Sequence, residues 1–540
     1  MTWRRGQTMP DSVSPPGDSS RARPRGLSRR DVLRGSALLA GAVPAAGLLS
    51  ACSRPSVAAS NGKPQRGGVL RVGVSGGSAK DSLDPHSPLT YPDQSRVVNL
   101  FEPLFTHDAD YRIRPMLAES VEASKDGKTW VVKLRSGIEF HNGKTLDAND
   151  VIATLRRVVD PKAPTAGAGS LAMLDAKALK RENATTVRIP LKTPYALFED
   201  LLAQYTLGII PEDFDLKKPV GTGPFVFKSF APGDRSTFTR FADYWRRPAY
   251  VDEVHILDFP DDTAKINALL SRQLDAIDNL PPAYIEMIKN QGGQVLISKT
   301  GSWSPITMRV DTPPFKDARV RQAFRLIVDR PQMVDQVLGG QGRVGNDMYS
   351  PLDPAYASGL PQRHQDLGQA RSLLKAAGHE GLSVELVTST GIGAGSIEAA
   401  QLFAQQAKGA GVKVNVRITD SATFYGDRYL SWPFAQDYWI TRNYVPQVDS
   451  GSLKTSPYNE THWNDPEFTS LMTRARSEFD ADKRKDLLQA AQKIEYERGG
   501  HIVWGFKNQV DAYAANVTGF TPNPNLPLSN YEFRNVSVSG

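Results

Sequence analysis

Late in the chain the stretch DYWITRNYVP, residues 437–446, crowds Tyr438, Trp439 and Tyr444 around one arginine, Arg442. A planar cation set among aromatic rings suggests a recess in which it is held for a purpose, and its fork of N–H donors suits a carboxylate, phosphate or carbonyl. Thr441 and Asn443 flank it and join the candidate ligand-binding residues. Trp303, Trp432, Trp504 and Phe506 also fall in or beside expected strand ends and loops, not on helix faces. Loops that follow strands in α/β sheets line ligand crevices, so together these residues favour a broad pocket with aromatic walls.

Catalytic constellations are scarce by comparison. The chain has no HExxH, no phosphate-binding P-loop and no GxGxxG fingerprint. GVSGG, residues 73–77, matches the GxSxG nucleophile elbow by letter. That elbow needs a helix directly after the serine, and SAKDSLDPH reads as loop, so Ser75 is expected to end a strand and not to attack a substrate. The eight histidines (His86, His107, His141, His255, His364, His379, His462, His501) include no pair at i,i+4. No catalytic residue, metal site or cofactor is therefore expected.

The elements that must position these residues belong to a long chain. At 540 residues it can build two or three lobes, and 40% hydrophobic with 23% charged residues is ordinary soluble composition. The net charge of +7 is concentrated at the start. Residues 1–51 hold eight arginines against three acids, leaving 57 basic and 55 acidic residues for the rest. Nucleic-acid binding loses its main support on that count. LSRRDVLRG precedes an apolar stretch from Ser36 to Leu49, which is short for a membrane span and suits the core of a signal peptide. The twin arginines resemble a Tat export signal. The stretch ends in LSAC, whose Cys52 is the only cysteine, in the manner of a lipobox. Cleavage there would leave 489 residues lipid-anchored outside the cytoplasmic membrane, without an internal disulfide. Residues 52–66 read as a flexible tether.

Beyond the tether, Leu70, Val72 and Val74 alternate as a strand, and so do Trp130, Val132 and Leu134. LDANDVIATLRRVV reads as a helix capped by Asp147 or Asn149, with Val151, Ile152 and Leu155 inward. Ile266, Leu269 and Leu270 recur at helical spacing, as do Val320, Ala323, Phe324 and Ile327. Pro466 opens a helix with Phe468, Leu471, Met472, Ala475 and Phe479 on one face. A second helix, about 482–498, buries Leu487, Leu488, Ala491 and Ile494. Strands alternate with helices almost throughout, so the class is α/β with mixed sheets.

The segment DGKTWVVKLRSGIEFHNGKTLDANDVIATL resembles the signature stretch of the oligopeptide/dipeptide/nickel solute-binding proteins of ABC importers. SLDPH, NLFEPLF, GTGPFVFKSFAPGD, PPFKDARVRQAFRLIVDR and NDPEFTSLM agree in order, and coverage runs from about residue 67 to the end. The resemblance implies a two-lobed, hinged periplasmic-binding-protein-like fold with an extra inserted domain. Lobe I would comprise residues 67–104, 217–306 and 508–540, the insert 105–216 and lobe II 307–507. It implies a monomeric extracytoplasmic receptor that closes on a peptide or peptide-like solute and delivers it to an ABC permease and its ATPase. A same-family receptor for an oligosaccharide, metal chelate or anionic solute, or a surface sensor without transport, stays open beside it.

In peptide-binding relatives the loop matching DYWITRNYVP carries an aspartate that pairs with the peptide ammonium. With Trp439 and Pro446 as fixed ends, that position is Arg442, which would repel an ammonium. Three readings stand. Arg442 points outward, with Asp437 or Asp449 as the anchor; or it binds an anionic or carbonyl group of the solute; or it makes an internal salt bridge. Arg428, eleven residues before Trp439, lies near where relatives place an arginine for the peptide carboxylate.

Overall fold

The computed structural model describes residues 64–163 and 165–539; the leader, Cys52 and the tether up to residue 63 lie outside them. Val69–Ser75 is a strand, and its inward residues Leu70, Val72 and Val74 are fully buried. It runs parallel to Glu253–Phe259 on one side and to Ala276–Ile277 on the other. Around this parallel centre the sheet continues antiparallel through Arg235–Arg240 and Phe225–Ala231 at one edge. At the other it continues through Gly505–Tyr513 and Gln294–Lys299. A mixed sheet assembled from distant segments is the outcome expected when other domains are threaded into a lobe.

The first threaded domain is a four-stranded antiparallel sheet of Ala118–Ala123, Thr129–Leu134, Thr186–Pro190 and Lys180–Asn183. Helix Ala148–Val158 packs on it, with Asp147 as N-cap in a reciprocal capping box with Asp150. Trp130, Val132, Leu134, Val151 and Leu155 share a core that continues into Trp439, Tyr444 and Phe468. The insert therefore packs on the second lobe as well as on the first.

Lobe II is built on a five-stranded sheet ordered Lys413–Thr419, Ser383–Ser389, Phe434–Gln436, Ile306–Met308, His501–Ile502. Val320, Ala323, Phe324 and Ile327 of helix Ala318–Ile327 are fully buried against it. Helices Pro466–Ser477 and Ala481–Arg498 pair beside it. Phe468, Met472 and Ala475 face inward as their spacing requires, whereas Phe479 lies past the helix end and reaches the Trp130 ring of the insert at 6.2 Å.

The chain enters lobe II from the first sheet after Lys299 and leaves it before Gly505, and between them Gly342–Val344 returns to pair with the start of Gly505–Tyr513. The crossings are tied together: Lys507 N–H donates to Ser302 O at 2.9 Å and Thr300 Oγ1 donates to Lys507 O at 2.6 Å. Residue 507, the expected end of lobe II, lies inside the strand that makes the second crossing. Short crossings of this kind suit hinge motion, in which a few residues absorb the change in conformation.

Candidate functional site

Strand Phe434–Gln436 ends where Asp437 begins, and helix Tyr444–Gly451 starts one residue after Asn443. The intervening loop is fastened on every side. Trp303 and Trp439 exchange backbone hydrogen bonds of 3.0 and 2.9 Å, and their rings stack at 6.1 Å. Thr441 Oγ1 accepts from Gly301 N–H at 2.9 Å and donates to Pro524 O at 2.6 Å, which joins lobe II to the hinge and the C-terminal segment. From the insert, Tyr111 Oη donates to Thr441 O at 2.9 Å. Asn443 Nδ2 donates to Asp200 Oδ2 at 2.8 Å.

Between these fastened neighbours Arg442 is half-buried, its guanidinium 5.5 Å from the Trp439 ring centre. Burial pulls its pKa down from the usual arginine range, and the groups acting back on it are four phenols, Tyr111, Tyr205, Tyr458 and Tyr438. Among the described residues it forms no ion pair. Tyr438 and Tyr458 are 51% and 48% exposed, which leaves an open aromatic mouth around a cation. Through Gly301 and Pro524 of lobe I and Tyr111 of the insert, the loop that carries the mouth is tied to both lobes and to the insert.

Tyr205 also lines a small chamber of about 50 Å³, together with Glu102, Tyr244, Arg246, Glu532 and Arg534. Glu102 is held there by Tyr244 Oη at 2.5 Å, Trp245 Nε1 at 2.8 Å and Thr222 Oγ1 at 2.9 Å. A mouth fastened to a hinge and a chamber at its side suit capture of a small solute.

Residues 112–461 match the model of the bacterial extracellular solute-binding proteins, family 5 (middle region). The chain belongs to that family. A glutathione-binding protein, GsiB of Escherichia coli K12, is 26% identical over 497 residues, covering 85% of this chain and 93% of the relative. Among solved structures, the substrate-binding protein CtaP of Listeria monocytogenes superposes with a TM-score of 0.79 at 22% identity, covering 88% of this chain and all of that one. The periplasmic binding protein DppA of Helicobacter pylori, in complex with the peptide STSA, gives 0.74 at 21%, covering 88% and 99%. The two-lobed fold and the role of an ABC-importer solute-binding protein follow, and such proteins are transport receptors, not enzymes.

The ten residues singled out in the sequence separate into three groups in this family 5 receptor. Trp439, Thr441, Arg442 and Asn443 form the mouth. Trp303, Tyr444, Trp504 and Phe506 are buried behind it as packing. Trp303 stacks on Tyr349 at 5.0 Å, and Tyr444 Oη donates to Glu495 at 3.0 Å. Trp432 and Arg428 lie apart, the exposed guanidinium of Arg428 stacked 4.1 Å over the Trp432 ring.

Two readings of the loop are corrected. The salt bridge for Arg442 is absent among the described residues. Asp449 is committed elsewhere, ion-paired with Arg476 and accepting from Tyr195 Oη at 2.9 Å, so it cannot serve as a free anchor. Asp437 turns inward under the loop, accepting from Tyr429 Oη at 2.9 Å and Tyr425 Oη at 3.2 Å. Ser75 does end its strand: Gly76 and Gly77 follow at φ 94° and 103°, and the next helix begins only at Tyr91. Its hydroxyl donates to Asp278 at 2.8 Å and accepts from Lys265, whose ammonium is paired with Asp262 and Asp278. Sequence reasoning missed Tyr111 and Tyr205, which stand far from Arg442 along the chain, and Tyr458, which follows it after a helix; none carries a local motif.

Proposed function

We propose that this receptor captures a peptide or peptide-like solute carrying a carboxylate, and that Arg442 reads that carboxylate. The carrying observation is a half-buried guanidinium without an ion pair among the described residues, set in a tyrosine-rimmed mouth whose loop is fastened to both lobes and the insert. A buried cation without a counter-charge is costly, and a solute carboxylate offers two oxygens to its fork. The solutes named for GsiB and for the DppA complex, glutathione and a tetrapeptide, both carry carboxylates. Closure of lobe I onto the mouth would complete the site and present the loaded form to the permease and ATPase. The same reading takes Cys52 as the lipid anchor, the leader as a Tat signal and the receptor as a monomer.

Calorimetry with short peptides tests the solute. Amidating the C-terminal carboxyl should weaken binding about tenfold or more, and acetylating the N-terminus should change it little. Loss on acetylation with indifference to amidation would overturn the assignment of Arg442.

A further inference from the structure

Beneath the mouth, inside lobe II, lies a second cavity of about 10 Å³, room for a single water-sized particle. Phe424, Tyr429 and Trp432 wall it, and Gln436, Asp437 and Glu460 supply its polar lining. Gln436 is 1% exposed, and neither its amide oxygen nor its nitrogen has a hydrogen-bond partner among the described residues. Glu460, 5% exposed, leaves Oε2 equally unpartnered, while Oε1 accepts from Trp439 Nε1 at 3.1 Å and lies 3.0 Å from His501 Nε2. Asp437, 4% exposed, lines the same cavity and accepts from Tyr429 Oη, Tyr425 Oη and Tyr438 N–H. Burial holds His501 down at about 4, so it is neutral near pH 7 and brings no charge to the pair.

Two buried carboxyls without a charged partner, beside an amide with no hydrogen-bond partner among the described residues, form a site that must keep a proton or take up a cation in its place. We propose that Gln436, Asp437 and Glu460 form a second binding site, behind the Trp439 loop, for one small monovalent cation. Space for a single water-sized particle suits ammonium or a bare alkali ion. Calcium takes six to eight oxygen ligands, more than two carboxylates and one amide readily supply. The site lies apart from Arg442 and does not depend on which solute the mouth takes. Its link to the mouth is Trp439, which packs at the mouth and donates to Glu460.

Equilibrium dialysis of the purified protein at about pH 9, where the carboxyls can release their protons, against radiolabelled rubidium, with tetramethylammonium chloride holding ionic strength constant, tests the site. About one equivalent should bind saturably, and Glu460→Gln and Asp437→Asn should each weaken it about tenfold or more. Displacement by potassium or sodium would identify an alkali-ion site; displacement by ammonium alone would identify an ammonium site. No saturable binding to the wild-type protein would overturn the proposal and leave a cavity for water. So would equal binding by both substituted proteins.

Discussion

Tyr111 of the inserted domain donates its hydroxyl to the carbonyl of Thr441, one residue before Arg442, at 2.9 Å. The ring is itself fixed, stacked on His107 at 4.2 Å, and His107 Nε2 meets Asp200 Oδ1 at 2.9 Å. Asp200 also accepts from Asn443, one residue after Arg442. The insert therefore holds both neighbours of the arginine and leaves the arginine itself free.

That arrangement makes Tyr111→Phe informative. The substitution keeps the stacking ring and removes one buried hydrogen bond, leaving Thr441 O without that donor. Unfolding should become easier by about 1 kcal/mol, with a larger proportional effect on solute affinity because the loop beside Arg442 loosens. Chemical denaturation together with calorimetry of the bound solute measures both. Unchanged affinity would show that the loop is held sufficiently by Thr441 and Asn443 side chains alone.

Arg442→Ala should weaken a carboxylate solute by roughly 1–3 kcal/mol, since it removes a charge-assisted, two-pronged donor. Arg442→Lys should recover only part of this, because an ammonium is a point charge without the planar fork. Affinities for one carboxylate peptide and its amide across the three proteins give a cycle. If both solutes weaken alike in Arg442→Ala, the arginine acts on the shape of the mouth and not on the carboxylate.

Much of the fold was legible because burial imposes periodicity. Leu70, Val72 and Val74, or Trp130, Val132 and Leu134, alternate because one face of each strand meets a core. The loop proposed as the mouth was chosen from the family's motif between Trp439 and Pro446. The allocation of aromatics did not. Trp303, Trp504 and Phe506 stand at the two chain crossings, where hinge strands are buried on all sides, so a loop position in sequence became packing in space. Tyr111 and Tyr205 reach Arg442 only because the insert folds back on lobe II. Asp437 and Glu460 belong to different segments, and nothing in either stretch announces their partner.

Gly451 closes helix Tyr444–Gly451 directly against the Trp439 ring, and a Cβ there would meet that ring at 2.7 Å. Gly451→Ala must push the indole away from its stack on Trp303 or lengthen its bond to Glu460. Overpacking of this kind costs about 1–3 kcal/mol. Tryptophan fluorescence should shift in the folded protein, and the denaturation midpoint should fall. A spectrum and midpoint equal to the wild type would mean that the helix end moves instead of the ring.

The carboxyl pair under the loop sets a pH dependence of definite sign. Burial, with the repulsion of Glu460 added, pushes Asp437 up to about 8, and burial pushes Glu460 up to about 7. In the unfolded chain both titrate near pH 4, as ordinary carboxyls do. Between about pH 4 and pH 8 the folded protein therefore holds protons that the unfolded chain has released, so this pair favours folding at low pH and loses that contribution as pH rises. Asp347 has the opposite tendency: burial alone would raise it, but Arg330 and Arg363 outweigh burial and hold it below the usual range. Its contribution is common to wild type and variant, so it cancels in their difference. Glu460→Gln removes one titrating member and the repulsion it exerts on the other. The variant should gain stability relative to wild type as pH rises from 5 to 8, by on the order of 1–3 kcal/mol over the window. Urea midpoints of both proteins at several pH values decide it; a difference that is flat with pH, or that falls, would show that the two carboxyls do not hold a proton in the folded state.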